Sequence, residues 1–192
     1  MKNSSVALSV NLSLPDWIQE LEPLFLKAYP SDEDKMSLAI LLANTNVEKI
    51  TGGPFGAAIF DSRSGKVISV GVNRVIPLNN STAHAEMMAF MMAQHRLQAY
   101  RLDDTRHQFV MATSAQPCAM CYGASVWAGI ERILIGARRV DVESLTEFDE
   151  GPMPRNWIQG LKRRGIRVTR DVLRKEARQV LKRYQENAGL PY

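Results

Sequence analysis

Residues 132–169 read RILIGARRVDVESLTEFDEGPMPRNWIQGLKRRGIRVT. The stretch opens on an apolar, β-branched run, RILIGA, and closes on a shorter one, IRVT, and both predict strands. Between them lie a polar, irregular segment containing EFDEGPMP and a helical pattern, PRNWIQGLKRRG. Strands joined through a helix rather than a tight turn run parallel, so the last two strands of this chain are expected to be parallel neighbours.

Working upstream, QFVMATSA reads as a strand, and PCAMCYGASVWAGI as a helix that begins at the Pro117–Cys118 step. The stretch from His84 to about Tyr100 is helical and nearly apolar all round at first, with Met87, Met88, Phe90, Met91 and Met92. Such a helix is covered by a sheet, by a second subunit, or by both. GGPFGAAIFDSRSGKVISVGVNRV predicts two strands joined by a DSRSGK hairpin loop. SDEDKMSLAILLANTNV starts a helix on Ser31, with acidic residues in the first turn, and LPDWIQELEPLFLKAY suggests a short N-terminal helix with Pro15 near its first position. Downstream, DVLRKEARQVLKRYQENAG is a closing helix with Gly189 beyond its end. The order α, α, β, β, α, β, α, β, α, β, α predicts an α/β fold, a three-layer α/β/α sandwich around a five-stranded mixed sheet. It fits one domain over residues 1–192, with an N-terminal extension and helix at 1–30 and a C-terminal helix and tail at 170–192.

With 45% hydrophobic and 23% charged residues, the composition is that of an ordinary soluble domain. No stretch reaches the length of a membrane span, and VALSV near the start lacks the features of a cleaved signal, so a cytoplasmic location is expected. The net charge of +4 is uneven: from Gly151 onward eleven Lys and Arg face three Asp and Glu, a net +8. That could attract nucleic acid, yet no aromatic stacking platform interleaves the charges, so solvated helix faces are the simpler reading.

The two cysteines, Cys118 and Cys121, are too close in sequence to staple distant parts of a fold, which leaves chemistry or metal. Three positions apart at a helix start, they project from one face, where unpaired amides and the helix dipole favour thiolates. His84 begins a different helix after the sheet. Together the three supply one imidazole and two thiolates, and three protein ligands leave tetrahedral Zn²⁺ an open position, as catalytic sites do. His95 lies three turns along the helix from His84, too far to share the metal, whereas spacing leaves His107 open. Glu86, two residues after His84, can lean over the metal without binding it and move the protons of a reaction there. A strand leading into C-x-x-C also describes a thioredoxin-like redox site, a reading that leaves the HAE triplet at residues 84–86 unexplained.

HAE together with PCAMC resembles the H-x-E…P-C-x-x-C signature of the zinc nucleobase deaminases, the cytidine deaminase superfamily. The resemblance runs from about Gly52 to the C-terminus. Within it, the parallel last strand is similar to the guanine and tRNA-adenosine branches. GGPFGAAIF, GVNRV, TSAQPCAMCYGASVWAG and above all FDEGPMPRNWIQGLKRRGI are similar to bacterial guanine deaminases. The resemblance implies a Zn²⁺-dependent hydrolysis of guanine to xanthine and ammonia, with other aminated heterocycles (triazines such as ammeline, modified purines) and tRNA adenosine as alternatives. It implies further that Asn73 hydrogen-bonds the purine beside the Ala85 backbone, that Phe55 and Trp127 pack on the base, and that Glu150 is a second acid. The spacing from DVES to FDE is one residue longer than in that subgroup, so Asp149 and Glu147 stay open for the last role. Family habit implies a homodimer, with Tyr192 at the chain's end a candidate lid over a partner's site.

Overall fold

A computed structural model describes residues 6–103 and 107–190. The five strands are β1 (Gly56–Asp61), β2 (Val67–Val72), β3 (Phe109–Ala115), β4 (Arg132–Ala137) and β5 (Arg167–Thr169). They form one sheet in the order β2-β1-β3-β4-β5. β1 pairs antiparallel with β2 and β3, while β3, β4 and β5 run parallel, as the helical crossover before IRVT requires.

Alternation along the strands divides the core. Ala58, Phe60, Val110, Ala112 and Leu134 face one layer, which contains Met36, Leu38 and Leu42 of α2 (Asp32–Glu48). Ala57, Ile59, Met111, Ile133 and Ile135 face the other, against Ala85, Ala89 and Phe90 of α4 (Ala85–Leu97). α5 (Ala119–Ala128) joins α4 through Ala128, and α7 (Trp157–Arg163) through Leu161. α8 (Arg174–Glu186) packs beside α2, with Val180, Leu181 and Tyr184 against Ala43 and Val47. The result is the three-layer sandwich. Ser31 caps α2: its hydroxyl accepts from the Asp34 amide at 3.0 Å, and the Asp34 carboxylate accepts from the Ser31 amide at 3.2 Å.

Several elements depart from the sequence reading. The N-terminal helix is a 3-10 segment at Asp16–Leu21 followed by a single α turn, α1 (Glu22–Phe25), because Pro23 has no N–H to continue one helix through the segment. The connection after β2 contains a short helix, α3 (Val75–Leu78). The segment expected to be irregular after β4 begins with α6 (Arg139–Leu145), whose first turn is closed by the Arg138 amide donating to Asp141 at 2.8 Å. Gly189 does lie beyond the end of α8, and the left-handed residue there is Ala188 (φ 52°). Among the described residues no helix is long and apolar enough to cross a membrane.

Two glycines let the helices lie against the sheet. A Cβ on Gly56 would stand 2.4 Å from the Ala39 carbonyl oxygen of α2, and one on Gly71 would stand 2.1 Å from the Ala85 carbonyl oxygen of α4. The second contact positions the helix that begins with His84.

Candidate active site

His84 is the N-cap residue of α4 and Cys118 the N-cap residue of α5, both with extended backbone, and neither side chain caps its own helix. The two side chains meet instead, with His84 Nδ1 3.6 Å from Cys118 Sγ. Cys121, fully buried one turn into α5, completes a group whose ligand atoms all lie within 4.8 Å of one another. Tetrahedral zinc with its usual bond lengths spaces N and S ligands about 3.4–3.8 Å apart, so the three side chains fit the ion. Hydrogen bonding from Cys121, together with the neighbouring His84, brings the Cys118 thiol down to about 4. His107 is not part of the group: its Nδ1 lies 3.0 Å from Asp61 at the end of β1 remote from Gly56.

Glu86 is buried in the first turn of α4, 6% exposed, and accepts from Cys121 Sγ at 3.4 Å. Burial, reinforced by the charge on Cys118, raises its carboxyl above the usual range. Glu150, also 6% exposed, reaches the same cleft from the loop after α6, where burial, then Cys118 and Glu86, push it up to about 8. Its backbone is tied to the start of the cysteine helix, since the Ala119 amide donates to the Glu150 carbonyl at 3.0 Å. Of the three acids left open by the sequence, Glu147 and Asp149 are exposed and only Glu150 is buried. Asp149 borders the cleft and accepts from the Gly151 amide at 2.8 Å.

Phe55 and Phe148 wall the cleft, their rings edge to face at 5.1 Å, and Ala115 and Gln116 complete it. Phe148 in turn stacks on Tyr184 of α8 at 5.8 Å. Phe148 belongs to the FDE triplet, where nothing in the sequence singles out the aromatic. Asn73, just past β2, is fully buried and its amide donates to the Phe55 carbonyl at 3.1 Å. Its side-chain Oδ1 accepts from the amides of Gly53 (3.4 Å) and Val75 (3.2 Å), while Nδ2 has no partner among the described residues. A buried donor without a partner is expensive. Ala85 is buried at the first position of α4. Trp127 does not pack in the cleft of its own chain. It is 76% exposed, nine residues along α5 from Cys118 and so about 13 Å away along the axis, and the helix carries it away from the site. Tyr192 lies outside the described residues.

Residues 30–137 match the cytidine and deoxycytidylate deaminase zinc-binding region. The chain belongs to this deaminase family. The guanine deaminase of Bacillus subtilis is 39% identical over 109 residues, which span 57% of this chain and 66% of that protein, a little under two thirds of its length. The solved guanine deaminase of Nitrosomonas europaea is 37% identical, with a TM-score of 0.88 over 95% of this chain and 100% of that one. The tRNA-specific adenosine deaminase of Buchnera aphidicola subsp. Schizaphis graminum is 30% identical over 134 residues, covering 70% of this chain and 81% of its own. For a member of this family, the thioredoxin-like reading of Cys118 and Cys121 falls away, and HAE is accounted for as half of a metal site.

Proposed function

We propose that the protein hydrolyses guanine to xanthine and ammonia. The observation that carries this reading is Glu150, a second buried acid facing the same cleft as Glu86. A neutral base presents donors and acceptors rather than charge, so its recognition needs a buried acceptor and a buried donor, and Glu150 and the Asn73 amide supply them. Held by His84, Cys118 and Cys121, zinc would supply a Lewis acid that brings the pKa of water toward neutrality. Glu86, desolvated and raised, takes one proton from the attacking water and gives it to a ring nitrogen as the C–O bond forms. It then takes the second from the added hydroxyl and gives it to the amine, so that the C–N bond breaks and ammonia leaves. Phe55 and Phe148 hold the base and exclude bulk water. Likeness to the Nitrosomonas guanine deaminase along almost the whole chain supports the same substrate class.

Of the basic C-terminal quarter, Arg167, Arg174, Arg178 and Arg183 are engaged in ion pairs with Glu131, Asp141 and Glu48, and the tRNA alternative is left to the assay below. The outer face of α4 and α5 exposes Trp127 beside Met87 and Met91, and Tyr100 from the connection after α4 joins them in an apolar patch that a second copy of the chain would cover, giving the homodimer.

The test is ultraviolet and ammonia-release assays on guanine, with adenine, cytosine, guanosine, ammeline and a tRNA anticodon arm in parallel. The expected result is guanine turnover that Glu86→Ala abolishes while zinc is retained. A zinc-loaded protein that leaves guanine untouched refutes the assignment and gives it to whichever parallel substrate turns over.

A further inference from the structure

Asn73 is held from behind by three residues on two other segments. Trp17, 5% exposed in the N-terminal 3-10 segment, donates from Nε1 to Thr51 Oγ1 at 2.9 Å. Thr51 passes its one hydroxyl proton on to Asn46 Oδ1 at 2.8 Å. Asn46, fully buried near the end of α2, uses its Nδ2 to donate to the Gly53 carbonyl at 2.9 Å and the Asn73 carbonyl at 3.0 Å. Every polar group of the Asn46 amide is therefore assigned, and turning it over would set its oxygen against two carbonyls. Arg74 grips the same turn from the other side, its Nη1 donating to the Thr51 carbonyl at 2.7 Å.

The result is transmitted to the Asn73 side chain. With Gly53 held by Asn46, the Gly53 amide faces Asn73 Oδ1 and the Val75 amide joins it. The oxygen is thus occupied by backbone donors, and the group left for a ligand is a buried NH₂ that offers hydrogens and no acceptor. Trp17 lies outside the residues matched by the family region, so the relay gives the N-terminal segment a part in the site.

We propose that Trp17, Thr51 and Asn46 are positioning residues that lock the Asn73 amide with its donors toward the base, and so set the affinity for a purine with an acceptor at that edge. The inference rests on Asn73 contacting the substrate, as the proposed function has it. Thr51→Val removes the hydroxyl at constant shape. It is expected to raise KM for guanine about tenfold while kcat stays within about threefold, the size of one lost hydrogen bond. Thr51→Ser should restore both, and Trp17→Phe, which removes only the first link and serves if Thr51→Val does not fold, should move KM in the same direction. In an Asn73→Ala background Thr51→Val should add nothing further. An equal rise in KM in both backgrounds, or no rise at all, overturns the relay.

A second measurement does not depend on the substrate. The side-chain NH₂ signals of Asn73 in a ¹H–¹⁵N spectrum, assigned by their loss in Asn73→Ala, should shift and exchange faster in Thr51→Val or Trp17→Phe. Unmoved signals overturn the relay whatever the enzyme acts on. Moved signals in a protein inert toward guanine uphold the relay and overturn the guanine assignment alone.

Discussion

Gly71→Ala tests whether the close approach of β2 and α4 sets the metal site. The added methyl would stand 2.1 Å from the Ala85 carbonyl oxygen and 2.5 Å from the Ala89 amide nitrogen, both backbone atoms that cannot swing aside. Restoring an ordinary contact of 3.4 Å requires the helix to retreat by about 1.3 Å at Ala85, the residue between His84 and Glu86. Overpacking of this kind costs about 1–3 kcal/mol. For a chain of this length that lowers Tm by roughly 2–12 °C. A displacement of about 1 Å at reacting groups costs about 10²-fold in turnover. Gly56→Ala is the matched control: its methyl meets the Ala39 carbonyl oxygen at 2.4 Å and the Ala43 amide nitrogen at 2.6 Å, but on α2, which bears no ligand. Both variants should melt earlier by scanning fluorimetry, and only Gly71→Ala should lose zinc to a chromophoric chelator, with its turnover falling alongside the metal. A Gly71→Ala protein with lowered Tm but wild-type zinc affinity and turnover would refute the argument that this contact fixes the ligands.

Three other outcomes are expected. Glu86→Gln should bind zinc as the wild type does, by metal analysis, yet lose about 10²–10⁴-fold in kcat, because the amide cannot move the proton. Asp141, buried at the start of α6, has its carboxyl held at about 2, since hydrogen bonds from Arg174 and the Arg138 amide and the charge of Arg178 outweigh burial. A folded value below the ordinary 3.8 stabilises the fold above about pH 4 by about 2 kcal/mol, a contribution lost as pH falls toward 2. Asp141→Asn should therefore unfold at lower urea at pH 7, with the gap to wild type narrowing at pH 3. In the proposed homodimer, Trp127→Glu should leave monomers in sedimentation equilibrium, and an unchanged mass would remove the outer face of α4 and α5 as the contact surface.

The His84, Cys118 and Cys121 group was legible because each part is local: HAE and PCAMC each fall at the first turn of a helix, one after β2 and the short α3, the other directly after β3. The parallel β4 and β5 were legible through the helical pattern that joins them in place of a tight turn. Less was visible where side chains depend on distant partners. Trp127 lies on the helix of the cysteines, but nothing in PCAMCYGASVWAG says that its ring leaves the cleft. α6 was hidden by its polarity: in RVDVESL only Val142, with Asp141, turns fully inward, and the arginines that pair with the acid come from α8, more than thirty residues later. Asn46 and Thr51 carry no local signature at all, because their hydrogen bonds gain meaning only once α2, β2 and the N-terminal segment converge.

His84 and Cys118 both stand at helix starts braced by the sheet, whereas Phe55, Asn73, Phe148 and Glu150 come from the connections around them. Inheritance can act on the two sets separately. Connections can lengthen, shorten or change residues by small steps while the sheet and the turns that carry His84 and Cys118 stay as they are, which leaves one frame open to more than one amino-bearing ring. Relatives named for guanine and for tRNA adenosine, on one frame, are the distribution such descent would leave.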